Sequence, residues 1–367
     1  MKVLNFYRIV CIISAFIVSP FYIKAVAPDS IINMNGKKII LFIGDGMSIA
    51  QWQTGMIMNN APLNIERMHS VGIMQTNSIS NFNGDGPSHG TAIASGINTR
   101  NGYIGVDSNN RPTKSIIEYA SENGIKTGIV SANTLLDGSI SPFIANVKDR
   151  MHKEDIAKAY TNLSPDVFIG GGMKYFVKRK DNENLLDKLN GKGFHIAKSI
   201  NEIQKVKSGK LAGFISETDM PDILHGRGDM LVKSVQSAIN LLNQSNNGFF
   251  LLVGDMFVDR ASHKGDTRLV GLETIAFDKA IGLAIDFAEK DGNTLVVVVG
   301  GPEASGMTLV GGDIDQQEVI AKWTMEGMIH TGTMVPVFSY GINSEKFQGF
   351  IKNTDIFFII KELLCNK

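Results

Sequence analysis

The chain has 367 residues, and its 36 lysines and arginines balance 36 aspartates and glutamates. That length supports one large domain, or one domain with insertions, built on a substantial core. A formal charge of zero, with neither a basic stripe nor a recognised binding module, excludes nucleic acid as an expected partner.

At the amino terminus, Lys2 and Arg8 precede an apolar stretch from Ile9 to Ile23 that Ser14, Ser19 and Pro20 interrupt. Ala25-Val26-Ala27 then offers a small-x-small cleavage pattern, with Pro28 working against the cut. Residues 1–27 read as a signal peptide, the alternative being an uncleaved N-terminal membrane anchor, and residues 28–367 as the folded domain. The expected location is the periplasm or the outside of the cell. Cys11 lies in the leader and Cys365 near the other end, so the mature chain is expected to carry no disulfide.

The run Ile39-Ile40-Leu41-Phe42-Ile43 reads as a buried strand, broken by Gly44-Asp45-Gly46. Ligands of open parallel sheets sit outside the carboxyl ends of the strands. Asp45 is therefore either a ligand there or an ordinary turn or helix-cap aspartate. Further buried strands are expected at 126–131, 166–170, 249–253 and 294–299, with another apolar run at 335–338. Helical patterns fall at Met230 to Gln244, at Leu269 to Lys290 before Asp291-Gly292, and at Asp355 to Leu364 after a cap-like Asn353-Thr354. This alternation predicts a mostly parallel central sheet covered by helices on both faces, a three-layer α/β/α sandwich. Residues 171–228, richer in Lys, Gly and Asn, read as an irregular excursion from the sheet.

Three further polar groups fall near strand ends. Asp259 and His263 stand four apart, converge on one side of a helical turn and suit zinc, although the spacing occurs often by chance. His330, in His330-Thr331-Gly332, is a metal ligand or a hydrogen-bonded structural histidine. Asp137-Gly138-Ser139 is followed by Arg150, which is either a bidentate grip for phosphate or a surface arginine.

Taken together, these stretches resemble the alkaline phosphatase family. The resemblance runs from Lys38 to the end, through KIILFIGDGM at 38–47, GTAIASGINTRNGYIGVD at 90–107 and DVFIGGGMKYF at 166–176. It continues through NGFFLLV at 247–253, DKAIGLAIDFAEKDGNTLVVVV at 278–299 and HTG at 330–332. The resemblance implies hydrolysis of phosphate monoesters by two zinc ions and a magnesium ion through a phosphoserine. It also implies a homodimer. By position, Asp259, His263 and His330 match one complete zinc trio. Asp45 matches the bridging carboxylate, Asp137 and Ser139 match the magnesium side, and Arg150 matches the phosphate-binding arginine.

Other family positions carry no ligating side chain. Gly86 occupies the serine nucleophile's slot, Gly254 that of a magnesium-binding glutamate, and Gly301-Pro302 that of the Asp-His pair of the second zinc. Ser88, Asp255 and Glu303 lie close enough in sequence to be weighed as substitutes, Ser88 as a displaced nucleophile or, alternatively, as a helix cap. The resulting expectation is an exported family member with a partly dismantled site, weakly active or inactive, keeping one zinc and a weakened magnesium side, and accepting a phosphate monoester or other small anion. The alternative is an active phosphomonoesterase using zinc-activated water or Ser88. A purely structural zinc is a third reading.

Overall fold

The computed structural model describes residues 36–324, 327 and 329–365; the leader segment 1–27 lies outside them. Twelve strands run in chain order: β1 (Lys38–Gly46), β2 (Ser70–Gln75), β3 (Lys126–Thr134), β4 (Val167–Gly171), β5 (Phe194–Ala197), β6 (Lys210–Ser216), β7 (Phe249–Asp255), β8 (Thr294–Glu303), β9 (Met307–Asp313), β10 (Glu318–Trp323), β11 (Val335–Gly341) and β12 (Gly349–Lys352). Ten of them form one sheet in the order β12-β2-β11-β8-β1-β7-β3-β4-β6-β5, while β9 and β10 make a separate antiparallel ribbon. Every pairing in the large sheet is parallel except those of β11 with β8 and with β2.

The apolar run of β1 explains its central place. Ile39, Leu41 and Ile43 enter the core on one face of the sheet, and Ile40 and Phe42 the core on the other. A strand apolar on both sides is stable only where helices cover both faces. The Thr267–Asp291 and Met230–Leu242 helices line one face through Phe277, Ile281, Val235 and Ile239. The Gly86–Ser95, Ile116–Glu122 and Asn353–Cys365 helices line the other through Ile93, Ile117 and Ile356. The result is the expected three-layer α/β/α sandwich.

The stretch 171–228 departs from the expectation of an irregular excursion. It contributes β5 and β6, which extend the parallel sheet beyond β4. β5 is a four-residue strand, Phe-His-Ile-Ala, buried at its two ends, too brief to carry a periodic signal.

The glycine that ends β1 is set by close approach. Gly46 has φ +71°, and a Cβ there would lie 2.6 Å from the Cα of Asp259. Only glycine lets the end of β1 and the Phe257–His263 helix come this near. Asp45 and Asp259 thereby end up side by side at the carboxyl edge of the sheet.

Candidate metal centre

Asp259, His263 and His330 converge, one donor atom from each lying within 4.8 Å of the others. Asp259 and His263 sit one turn apart on the Phe257–His263 helix, and His330 is brought in by an isolated bridge to Ala304 just past β8. His263 Nε2 stands 3.2 Å from Asp259 Oδ1, yet that buried oxygen has no aligned hydrogen-bond donor. The far side of the His263 ring is fixed instead, Nδ1 contacting Ser305 Oγ at 3.0 Å and the Gly327 carbonyl at 3.1 Å. Outer-shell partners of this kind set the tautomer and turn the other nitrogen inward, as in metal-binding histidines. His330 presents Nδ1 to both sides, 3.1 Å from the Pro302 carbonyl and 3.8 Å from Asp259 Oδ1.

The electrostatics lead to the same conclusion. Asp45 is buried at the end of β1 with Oδ1 unpaired. Burial, then the charges of Asp137 and Asp259, hold its carboxyl well above the usual range. Burial pushes the His263 imidazole down, but the Asp259 carboxylate, with the Gly327 carbonyl and Glu303, makes the net shift upward. Three carboxyl groups, those of Asp45, Asp137 and Asp259, are thus gathered close enough to act on one another. An unpaired carboxylate oxygen between two imidazoles fits a zinc ion in donor type and number, with a fourth position left open.

Arg150 shares a cleft of about 450 Å³ with all three of these residues, and Arg260 and Asn101 line it too. Arg260, between Asp259 and His263 in sequence, passed unnoticed in the sequence reading; its guanidinium is tied at 2.5 Å to Asp219. Asp137 and Ser139 follow β3, where Asp137 Oδ1 accepts the Ser139 amide at 3.2 Å and its hydroxyl at 3.4 Å.

Gly86 and Gly301 both approach the Asp45 carboxylate, while Gly254 faces Ile140. A Cβ on Gly86 would point at Asp45, 3.3 Å from Oδ2. One on Gly301 would lie 2.3 Å from Asp45 Oδ1, and one on Gly254 would lie 2.4 Å from the Cγ2 of Ile140. The three neighbours weighed as substitutes are engaged elsewhere or point away. Ser88 belongs to the capping box that opens the Gly86–Ser95 helix: its amide donates to Asp85 Oδ1 at 3.0 Å, and its hydroxyl donates to the Asp85 carbonyl at 3.1 Å. Glu303 accepts from Gln51, Met307 N, Gly306 N and the Thr331 hydroxyl, which makes it a brace for the His330 segment. Asp255 Oδ1 accepts the Phe257 amide at 2.7 Å, while its Oδ2 is buried without a partner.

A mostly parallel α/β sandwich with a carboxylate-imidazole cluster and an arginine at the carboxyl edge of its sheet places a candidate metal centre where open α/β sheets take their ligands. The alkaline phosphatase family model matches residues 36–322, and the chain belongs to that family. It is 28% identical to alkaline phosphatase 4 of Bacillus subtilis over 89% of this chain and 88% of that protein. It is 25% identical to the alkaline phosphatase of Escherichia coli over 92% and 88%. The solved alkaline phosphatase of the Antarctic bacterium TAB5 superposes with a TM-score of 0.85 at 32% identity, covering 90% of this chain and 98% of that one. A variant of that enzyme has been solved with Mg bound in its M3 site. Among the described residues, no helix is long and apolar enough to cross a membrane.

Proposed function

We propose that this chain is an exported member of the family whose two-metal phosphomonoesterase site is reduced to one zinc subsite, held by Asp259, His263 and His330, with little or no turnover. The observation that carries the reading is a contrast at one edge of the sheet. The trio is intact, while the position facing Asp45 is Gly86, which has no hydroxyl to offer. Zinc in such a subsite supplies a Lewis acid and lowers the pKa of bound water.

The chain's own residues support binding more than catalysis. Arg150 is placed to grip phosphate oxygens through two parallel hydrogen bonds. Asp45 stands beside Gly86, which offers no hydroxyl, and Gly301 and Pro302 give it no partners for a second zinc. Removing the nucleophile alone from a hydrolase of this logic costs several orders of magnitude in kcat. Retention of a phosphate monoester or similar small anion is the activity best supported.

A second reading, direct attack by zinc-activated water, draws on the open fourth position beside Arg150. The two separate on turnover of a generic aryl phosphate with added zinc and magnesium. The degenerate reading expects no rate above a metal-only blank, and tight inorganic phosphate binding that is lost in Arg150→Ala. Robust turnover that disappears in His263→Ala would overturn it.

A further inference from the structure

The side of the site that faces Asp137 has been rebuilt by residues outside the family's ligand set. Gly254 is the penultimate residue of β7, and the volume in front of it is filled by the Ile140 side chain. A carboxylate at 254 has no room while Ile140 is there. Asp137 is buried, and both hydrogen bonds to its Oδ1 come from Ser139. The strongest countercharge acting on it is Lys153, ahead of Arg260 and Arg150.

Lys153 opens the Lys153–Leu163 helix. Its ammonium donates to the carbonyl of Leu136, the residue before Asp137, at 2.6 Å. Among the described residues, no carboxylate lies within ion-pair distance of it. Burial draws its pKa down, while Asp137 is the largest charge holding it up. An ammonium has three donors, and two remain beyond the Leu136 carbonyl to reach Asp137 through water.

We propose that Lys153 supplies, as a fixed ammonium, the positive charge that a magnesium ion would supply beside Asp137, and that Ile140 closes the cation's place. Magnesium needs near-octahedral oxygen coordination and gives up its waters reluctantly. A site with one hydrocarbon wall and no carboxylate at 254 does not meet that demand. The proposal rests on Asp137 and Ser139 marking the family's magnesium side, and it is independent of whether zinc binds the Asp259 trio.

The test is thermal unfolding of the full chain at fixed zinc, with and without millimolar magnesium, with bound zinc measured on the same samples. The wild type is expected to show no magnesium-dependent change in Tm. A rise of about 2 °C or more, the size expected when ligand exceeds its dissociation constant tenfold in a domain of this length, overturns the proposal. Lys153→Met is expected to lower Tm and Lys153→Arg to recover most of the loss; a Lys153→Met protein with wild-type Tm also overturns it. The double variant Ile140→Ala/Gly254→Glu is expected to gain a magnesium-dependent rise that Gly254→Glu alone lacks. Loss of zinc from every sample would instead count against the zinc reading and leave the magnesium comparison standing.

Discussion

The carboxylate of Asp45 fills the place a side chain on Gly301 would take: a Cβ there would stand 2.3 Å from Asp45 Oδ1 and 2.9 Å from Asp45 Cα. A side chain at 301 and the carboxylate of Asp45 in its present position therefore exclude each other. Placing one at 301 by a single substitution requires backbone as well as side chain to move.

Gly301→Asp is accordingly expected to destabilise the protein by about 1–3 kcal/mol, the range for overpacking a close-fitted interior. Urea unfolding measures it through the midpoint at unchanged slope. A variant as stable as the wild type that also takes up a second zinc would show that Asp45 moves aside freely.

Gly86→Ser is expected to fold with a smaller cost, because the nearest atom to its Cβ is a side-chain oxygen at 3.3 Å and the Ser139 amide nitrogen stands at ordinary contact distance, 3.6 Å. Turnover of an aryl phosphate should stay at the blank, since on the proposed reading Gly301 and Pro302 still leave Asp45 as the sole side chain for a second zinc. Trapping of a phosphorylated serine in this variant would contradict the account.

These two glycines also show what the sequence could reveal. The central strands are legible because β1, β7 and β8 are apolar on both faces, and the Thr267–Asp291 helix because its pattern is long and closed by Gly292. β5 and β12 are four residues each, and the β9–β10 ribbon is largely exposed, so none of them carries a strong periodic signal. Within the site, the positions of Asp259, His263 and His330 follow from family order. The filling of the Gly254 position by Ile140, and the brace formed by Glu303, arise from contacts between distant segments that no local pattern encodes.

Ser88→Ala is expected to cost about 1 kcal/mol through the capping box, with bound zinc and any residual turnover unchanged. A selective loss of turnover at unchanged stability would return Ser88 to the reacting centre.

His89 is fully buried on the Gly86–Ser95 helix, and burial lowers its pKa to about 3. Below the unfolded histidine value the unfolded chain binds a proton that the folded chain refuses, so stability falls as pH drops from about 6.5 toward the folded value. Between pH 6.5 and 4.5 this single group accounts for roughly 2–3 kcal/mol of lost stability. The check is the difference in pH slope between wild type and His89→Leu across that window. Equal slopes would mean that His89 titrates normally in the folded protein.

The central claim is a centre reduced to one transition-metal subsite, and bound zinc per chain tests it most directly. After loading with excess zinc and removal of free metal, elemental analysis should give close to one zinc per chain, falling to near zero in His263→Ala. Two tightly held zinc ions per chain would contradict the account.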